Sequence, residues 1–378
     1  LKEFSDTGKP IYAISIGYTQ SDYLLASEAD FVYINPEGVV SIEGLNSYGF
    51  YYSDLFEKLG IDVSIFRVGT HKSAVEPFSR NNMSPEARAN RLSLLNSIWD
   101  VYADRVASNR GIERAALDAY LNDPTSALKA ANGNFADVAI AQHFADQKLS
   151  LPEIRQELAR KYGASDDGQS FKQVDWRTYQ EAHAKHIYRS VREKIAVIVV
   201  DGAIVPGQSA EGTAGSGTVT EKIRLARNNP LVKAVVLRVN SPGGSALASE
   251  LIRQELVATQ RAGKPVVASF AGVAASGGYW ISATADAIYA APSTITGSIG
   301  IFAMIPTAER GLNELGVKVD GVSTTPIGTS PLIPFQKINP QLANVIQQSI
   351  EAGYNNFLNL VAAGRTMSVE DVDAIAQG

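Results

Sequence analysis

Short runs of β-branched and aromatic residues alternate with longer helical patterns along this chain. Turn residues separate the runs, which lie at 11–16, 31–34, 63–68, 195–200, 234–239 and 266–270. Such alternation is typical of βαβ units, in which a helix connects two parallel strands. The pattern therefore predicts an α/β fold.

Two long amphipathic helices are predicted, one in each half of the chain. Residues 85–108 carry apolar positions three and four apart, Leu92 and Val101 among them, after a serine cap and a first-turn proline. The second helix begins at Asn339-Pro340 and repeats both the cap and the apolar face. The two helices thus look like copies of one another.

The similarity of the two halves extends well beyond these helices. Residues 8–110 align with residues 263–365 at an offset of 255 to 256, and the matches include Tyr23 with Tyr279, Ala29-Asp30 with Ala285-Asp286 and Gly44 with Gly300. Matches through strands, turns and helices indicate duplication of a fold unit. The first copy starts where the long helix before the second copy ends. We therefore expect the chain to lack the opening elements of one copy and the last elements of the other.

A cluster of glycine, serine and aspartate at residues 163–170 marks the connection between the copies. We predict an N-terminal domain over residues 1–165, a connecting segment over 166–190 and a C-terminal domain over 191–378.

Residues 205–217 hold four glycines between a strand and a helix, and we interpret them as a mobile loop.

Composition narrows the classes of function. The chain has 378 residues, 45% hydrophobic and 19% charged, which suits two globular domains. A net charge of -5 without a basic block argues against binding of nucleic acid. The absence of cysteine excludes disulfides and thiolate metal sites, and we expect neither a metal nor a cofactor.

Two glycine turns follow neighbouring strands of the predicted C-terminal domain. One is the Pro-Gly-Gly turn that ends at Gly244, and the other is the Ser-Gly-Gly turn at Ser276-Gly277. Each has a plain structural interpretation, as a tight strand-to-helix turn or as a helix N-cap. Together, at strand ends where α/β folds bind ligands, they favour an acyl-transfer site with a serine nucleophile and backbone N–H groups for an oxyanion.

A serine nucleophile needs a base. His143 and His186 lie in helical patterns without an evident acidic partner, so a Ser-His-Asp triad has poor support. Lys72 follows a predicted strand in a loop of small residues, although a solvated surface residue is the usual interpretation of a single lysine. Neutralising a lysine of pKa about 10.4 costs roughly 4–5 kcal/mol at pH 7, and burial can lower that pKa. Ser298, one strand beyond Ser276, is our candidate to hold the amine.

The two copies differ where chemistry is expected. Ser276 aligns with Gln20, and Lys72 aligns with Gly328. Each copy therefore carries the residue type that the other lacks. The predicted site needs both copies, and we expect Lys72 to lie within hydrogen-bond reach of Ser276.

Four motifs occur in order along the chain. They are FRVGTHKSAVEPF at 66–78, VNSPGGS at 239–245, AASGGYWIS at 274–282 and TGSIG at 296–300. Together they resemble the signal peptide peptidase A family in its long form, and the resemblance covers nearly the whole chain. It implies two tandem ClpP/crotonase-like domains.

The resemblance also implies a function and roles for residues. It implies a serine endopeptidase in which Ser276 is the nucleophile, Lys72 the general base, Gly244 and Gly277 the oxyanion donors and Ser298 the residue that orients the lysine. Cleaved signal peptides and other unfolded or membrane-derived peptides are the implied substrates. The family forms a homotetramer in the bacterial inner membrane, anchored by an N-terminal segment that this chain lacks, with its active site on the extracytoplasmic side.

Two other functions remain open from the sequence. A crotonase-type acyl-CoA enzyme also uses paired backbone N–H groups, to hold an enolate, although nothing in this chain resembles a CoA-binding element. A non-catalytic scaffold that only binds peptides is the second alternative. Reaction of Ser276 with a serine-directed probe separates the peptidase from both.

Overall fold

The fold is described from a computed structural model that covers residues 1–184, 193–322 and 334–378. The chain divides into two compact units. The first comprises Leu1–Asn46 and Leu95–Ser190, and the second comprises Ser47–Leu94 and Val191–Gly378. The second unit thus takes in a segment, Ser47–Leu94, that belongs to the first sequence repeat.

The strands confirm the predicted α/β class with parallel sheets. They are β1 (Tyr12–Ser15), β2 (Phe31–Ile34), β3 (Asp62–Val68), β4 (Gln147–Lys148), β5 (Lys194–Asp201), β6 (Ala203–Val205), β7 (Thr213–Gly215), β8 (Val232–Ser241), β9 (Val266–Ala275), β10 (Ala287–Tyr289), β11 (Ile295–Gly297) and β12 (Ile301–Thr307). In the first unit, β1, β2 and β4 form a parallel sheet. In the second, β10, β9, β8 and β5 do so in that order, and β11 pairs with the end of β9.

Helices connect the strands. They are α1 (Lys2–Ser5), α2 (Gln20–Ala26), α3 (Ser53–Lys58), α4 (Glu76–Ser79), α5 (Pro85–Arg110), α6 (Arg114–Asn122), α7 (Pro124–Ala130), α8 (Phe135–Ala141), α9 (Leu151–Tyr162), α10 (Trp176–Ala184), α11 (Ser216–Asn228), α12 (Ala246–Arg261), α13 (Gly277–Trp280), α14 (Glu309–Glu314), α15 (Pro340–Arg365) and α16 (Val369–Ile375), with a 3-10 turn at Ser73–Val75. Within the described ranges, no helix has the length and apolar character needed to cross a membrane.

The duplication is visible in the hydrogen bonds of each unit. Asp30 Oδ2 accepts the N–H of Ile11 at 2.8 Å at the start of β1, and Asp286 Oδ2 accepts the N–H of Val266 at 2.7 Å at the start of β9. The strands that follow pair in the same register, β1 with β2 and β9 with β10. Helices α5 and α15 have 26 residues each. The two copies therefore share local geometry as well as sequence.

Two of the apolar positions predicted for the face of α5 are solvent-exposed. Leu92 is 56% exposed and Val101 44% exposed. Val101 lies beside the buried stripe that contains Tyr102 and Val106, because neighbouring residues in a helix point about 100° apart. Leu92 lies in the part of α5 before Leu95, which buries few residues. The predicted helix is correct, but its apolar face was assigned too broadly.

The predicted loop at residues 205–217 is wrong over its second half. Strand β7 pairs with β6 in parallel, and α11 begins at Ser216. Ser209 Oγ accepts the N–H of Gly215 at 2.6 Å and donates to the Thr213 carbonyl at 2.9 Å. Strand β7 has only three residues, all with small side chains, and so leaves no alternating hydrophobic pattern in the sequence.

Two apolar clusters hold the second unit together. Val235 and Leu237 of β8 are fully buried and pack with Ile252 of α12 on one face of the parallel sheet. A second cluster joins α13 to α15 and includes Trp280 and Phe357. Burial of such side chains stabilises the unit by about 1.5–3 kcal/mol each. The end of β9, which carries Ser276, lies between these clusters.

The antiparallel pair β3 and β12 brings a distant segment to this sheet. Seven residue pairs form the ladder, from Asp62 opposite Thr307 to Val68 opposite Ile301. Phe66 of β3 is buried with Ile350 of α15 behind the pair. The loop that follows β3 is thereby placed beside the start of β12.

Substitution of Gly364 tests how closely α15 packs against its neighbours. A Cβ at this position would overlap the Ala283 carbonyl oxygen, which cannot move without its backbone. Alanine is the better helix former by about 1 kcal/mol, but overpacking of this kind costs about 1–3 kcal/mol or more. We expect Gly364→Ala to lower the free energy of unfolding by about 1–3 kcal/mol, measured by urea denaturation.

Gly353 of the same helix is the matched control. A Cβ there would lie 2.9 Å from Ile301 Cδ1, the end of a flexible side chain. We expect Gly353→Ala to leave stability unchanged or to raise it by up to about 1 kcal/mol. Equal stability of the two variants would contradict the close approach at Gly364.

Candidate active site

Ser276 lies between the end of β9 and the start of α13 in an uncommon backbone conformation. Its φ is 51° and its ψ is -117°. A positive φ costs a non-glycine residue about 1–3 kcal/mol, and such strain is concentrated at functional sites. Ser276 holds the N-cap position of α13, yet its side chain makes no cap hydrogen bond. Helix capping therefore does not account for this serine.

Lys72 lies beside this serine and is buried, with only 5% of its surface exposed. Its Nζ is 3.3 Å from Ser276 Oγ. The amine also donates hydrogen bonds to Ser298, to the carbonyl oxygen at 2.9 Å and to Oγ at 3.0 Å. The structure thus brings together the three polar side chains that the sequence singled out.

Strand pairing explains why these residues meet. Gly297 of β11 is opposite Ala275 of β9, and the Ser276 N–H donates to the Gly297 carbonyl at 2.9 Å. Ser298 is therefore a direct neighbour of Ser276. Lys72 lies in the loop that follows β3. Its side chain passes close to Gly300, where an added Cβ would lie 3.3 Å from Lys72 Cδ. A larger residue than glycine at position 300 would crowd the lysine stem.

Burial lowers the pKa of Lys72 to about 8, because the ammonium form loses its hydration. Within the described parts of the chain, no carboxylate forms a salt bridge with Lys72, and the buried Glu76 instead accepts hydrogen bonds from the Ser84 N–H and hydroxyl. At pH 7, neutralising this lysine costs about 1 kcal/mol, compared with 4–5 kcal/mol for an exposed one. A neutral amine is thus accessible near neutral pH.

The hydrogen bonds also orient the amine. A neutral lysine has two N–H groups and one lone pair. Both N–H groups have acceptors on Ser298, whose left-handed backbone, with φ 49°, presents its carbonyl oxygen and Oγ to the same amine. The lone pair is then free to accept the hydroxyl proton of Ser276.

Gly244 and Gly277 present backbone N–H groups close to Ser276. A Cβ on Gly244 would overlap the Ile204 carbonyl oxygen, so this position requires glycine, and one on Gly277 would lie 2.5 Å from Ser249 Oγ and 3.2 Å from the Gly244 nitrogen. The Ser245 N–H donates to that same Ile204 oxygen at 2.9 Å, which fixes the turn. Among the described residues, neither glycine N–H has a protein acceptor. Two unused donors side by side are suited to bind an oxygen atom.

An apolar cavity of about 190 Å³ opens next to Ser276 and Gly244. Its walls include Trp280, Ile301 and Phe357. Neither this cavity nor the role of the Ser298 carbonyl as an acceptor was predictable from the sequence. Phe357 belongs to α15 and follows the ordinary pattern of a buried helix face, so no local signal marked it.

Gln20 replaces the serine in the first unit, and both ends of its amide form hydrogen bonds to a loop. Gln20 Oε1 accepts the N–H groups of Glu43 and Gly44 at 2.9 and 3.0 Å, and Nε2 donates to the Gly44 carbonyl at 3.2 Å. Gly44 is the sequence counterpart of Gly300. The first unit therefore fills the equivalent position with a side chain that bridges a loop. Gly328, the counterpart of Lys72, lies outside the described residues.

Neither of the two histidines whose side chains the structure describes offers an alternative base beside Ser276. His71 and His143 are exposed, and the hydrogen bonds found for Ser276 Oγ involve neither. The side chain of His183 and the whole of His186 lie outside what the structure describes. Within the described ranges, no group of three His, Cys, Asp or Glu side chains could hold a metal ion.

Comparison with known proteins shows which protein family this chain resembles. The model of peptidase family S49 matches residues 3–152 and 258–378, two segments that begin 255 residues apart, as the repeats do. Protease 4 of Salmonella typhi is 42% identical over 378 residues, which is 100% of this chain and 60% of that protein. Protease 4 of Haemophilus influenzae is 43% identical over 381 residues, which is 100% of this chain and 61% of that protein.

Among solved structures, a ClpP1 of Listeria monocytogenes matches 52% of this chain and 82% of its own, with a TM-score of 0.29 and 14% identity. That score is too low to support an inference. The chain spans about 60% of the length of the two Protease 4 relatives. Because the family model covers most of the chain and the identity extends along its whole length, this chain belongs to peptidase family S49.

Proposed function

We propose that the protein is a serine endopeptidase with Ser276 as nucleophile and Lys72 as general base. The observation that carries this proposal is the 3.3 Å distance between Ser276 Oγ and the Nζ of the buried Lys72. Membership of a peptidase family supports the class of reaction. The free N–H groups of Gly244 and Gly277 support their assignment as the oxyanion hole, and the two hydrogen bonds to Ser298 support its role in orienting the lysine.

Acylation begins with neutral Lys72. The amine takes the hydroxyl proton as Ser276 Oγ forms a bond to the carbonyl carbon of the substrate. The carbonyl oxygen becomes an oxyanion, and the N–H groups of Gly244 and Gly277 donate to it. When the C–N bond breaks, the Lys72 ammonium gives its proton to the departing amine. An ester between Ser276 and the acyl part of the substrate remains.

Deacylation uses the same groups with water in place of the serine. Neutral Lys72 takes a proton from water as the water oxygen attacks the ester carbonyl carbon. The ammonium then returns the proton to Ser276 Oγ when the ester bond breaks. The products are a carboxylic acid and free enzyme, and no metal or cofactor takes part.

The proposed substrates are cleaved signal peptides and other unfolded or membrane-derived peptides. The apolar cavity beside Ser276 supports this class, since it suits an apolar side chain next to the scissile bond. The peptide must enter unfolded, because a folded substrate cannot present its backbone to a nucleophile that is only partly exposed.

The proposal for the whole protein is a homotetramer in the bacterial inner membrane with its active sites on the extracytoplasmic side. Membership of the S49 family and the greater length of the Protease 4 relatives support this part. A membrane segment outside the 378 residues of this chain supplies the anchor in this proposal.

Substitution of the two proposed residues tests the dyad. We expect Ser276→Ala to lower kcat by more than about 10⁴-fold, and Lys72→Met by about 10²–10⁴-fold, the usual contribution of a general base. Both variants should also lose covalent labelling by a fluorophosphonate probe. Peptide hydrolysis and probe labelling of purified, folded variants provide the measurement.

His71→Ala is the matched control, because it changes the exposed neighbour of Lys72 and should retain activity. Normal turnover by Ser276→Ala or Lys72→Met would refute the dyad. Peptide binding by an unlabelled, inactive wild type would favour a scaffold, and turnover of an acyl-CoA thioester without probe labelling would favour the crotonase-type alternative.

The pH profile tests the protonation state of the base. Only neutral Lys72 can accept the proton, and burial lowers the pKa of Lys72 to about 8. We therefore expect kcat/KM to rise about tenfold per pH unit below that value and to level off above it. A stopped assay on one peptide from about pH 6 to pH 9.5 measures this, and a profile flat across that range would count against a lysine base.

The same pKa shift makes stability depend on pH. The folded pKa of Lys72 is about 8 and the ordinary value is 10.5, so the unfolded chain binds more protons between these values. The free energy of unfolding then rises with pH across this window. We expect the wild type to gain about 2 kcal/mol relative to Lys72→Met between pH 7 and pH 10, measured by urea denaturation. A stability difference that does not change with pH would show that the lysine is not buried in its neutral form.

A further inference from the structure

Trp280 forms a wall of the cavity beside Ser276 and is almost fully buried, with 4% of its surface exposed. It is the last residue of α13, the short helix that begins directly after Ser276. The centre of its ring lies 4.6 Å from that of Phe357, which lines the same cavity. The side-chain orientation of Trp280 therefore determines the depth of the cavity.

A carboxylate fixes that rotation. The indole N–H of Trp280 donates to Glu250 Oε2 at 2.8 Å, from a residue on α12. A buried indole N–H needs an acceptor, so turning the ring away would leave both groups unpaired. Apolar packing alone could keep a tryptophan in the core. Unlike the directional hydrogen bond to Glu250, it would not select one orientation of the indole.

Glu250 is itself held firmly. Arg253 donates two parallel hydrogen bonds to its carboxylate, from Nε at 2.8 Å and from Nη2 at 2.7 Å, and Gln254 adds a third at 2.9 Å. Burial would raise the pKa of Glu250, but the hydrogen bonds from Arg253, Trp280 and Gln254 outweigh it and keep the pKa below its ordinary value. The carboxylate stays charged across the neutral range. A bidentate pair of this kind adds directional precision as well as attraction.

We propose that Glu250, held by Arg253, is a positioning residue for substrate selection: by fixing the Trp280 indole, it sets the size of substrate side chain that the cavity beside Ser276 admits. The proposal rests on the proposed peptidase function. It adds to that function a polar determinant of specificity that does not touch the substrate. Loss of the acceptor should let the indole rotate and should change which side chains fit, with a much smaller effect on the chemistry at Ser276.

The test uses three peptides that differ only in the residue whose carbonyl carbon is attacked. This residue is alanine in one peptide, leucine in the second and phenylalanine in the third. In Glu250→Leu, the ratio of kcat/KM for the leucine peptide to that for the alanine peptide should change by about tenfold or more, because one methylene in an apolar pocket is worth about 10–200-fold. Glu250→Gln keeps an oxygen acceptor at the same place and should restore the wild-type ratio. A role limited to stability would not give this pattern of loss and rescue.

Glu255→Gln is the matched control. Glu255 lies on the same helix, is as exposed as Glu250 and forms an ion pair with Arg227 at 2.5 Å. The Trp280 indole donates to Glu250 and not to Glu255 in the described structure, so substitution of Glu255 should leave the substrate ratio unchanged. If Glu250→Leu does not fold, Arg253→Met replaces it, and a smaller change in the ratio is expected there.

The outcomes separate this inference from the proposed function. A wild type that neither cleaves any of the three peptides nor reacts with a fluorophosphonate probe refutes the proposed function. A wild type that cleaves and labels, with unchanged ratios in Glu250→Leu and Arg253→Met, refutes the positioning role alone. A changed ratio in Glu255→Gln as large as that in Glu250→Leu also refutes it, because the effect then belongs to α12 as a whole.

Discussion

The candidate site depends on the antiparallel pairing of β3 with β12. The seven pairs of this ladder join residues more than 230 positions apart, and Lys72 follows the last strand residue, Val68, by four positions. Closing so long a loop costs conformational entropy, although that cost grows only slowly with loop length. Backbone hydrogen bonds and the buried Phe66 offset it. A slip of one residue would turn every side chain of β3 to the opposite face, so the register of this ladder fixes where the lysine arrives.

Duplication supplied two similar units, and the described parts of the two units differ at the candidate site. Both units keep the aspartate that begins the strand pair, at Asp30 and Asp286, because that hydrogen bond belongs to the fold. Position 276 carries a serine in a strained turn whose hydroxyl contacts Lys72 and does not cap the helix, whereas the Gln20 amide bonds to its own loop. The segment with Lys72 comes from the first repeat but lies in the compact unit of the second. A duplicated fold can thus retain both copies of its framework and only one set of reactive groups.

Several residues of the candidate site have backbone conformations or surroundings that cost free energy. Ser276 and Ser298 both have positive φ, and each such residue costs about 1–3 kcal/mol. In the described residues, Lys72 is buried without a salt bridge, and the N–H groups of Gly244 and Gly277 near Ser276 have no protein acceptor. These features destabilise the folded state, and the surrounding sheet and apolar clusters offset them. Such local costs are common where a protein trades stability for reactivity. The Glu250 network differs, since its carboxylate accepts hydrogen bonds from Arg253, Gln254 and Trp280.

The sequence by itself determined the α/β class, the duplication, the two long helices and the glycine turns, because each follows from local spacing of apolar residues and from turn chemistry. It also singled out Ser276, Lys72 and Ser298, and their roles remain proposals. Only the tertiary structure decided that the Lys72 segment belongs with the second unit, that the Ser298 carbonyl is a second acceptor, and that Phe357 completes a cavity wall. It also decided that Leu92 is exposed. These facts depend on which distant residues come into contact, and contacts across hundreds of residues leave no periodic signal in the chain.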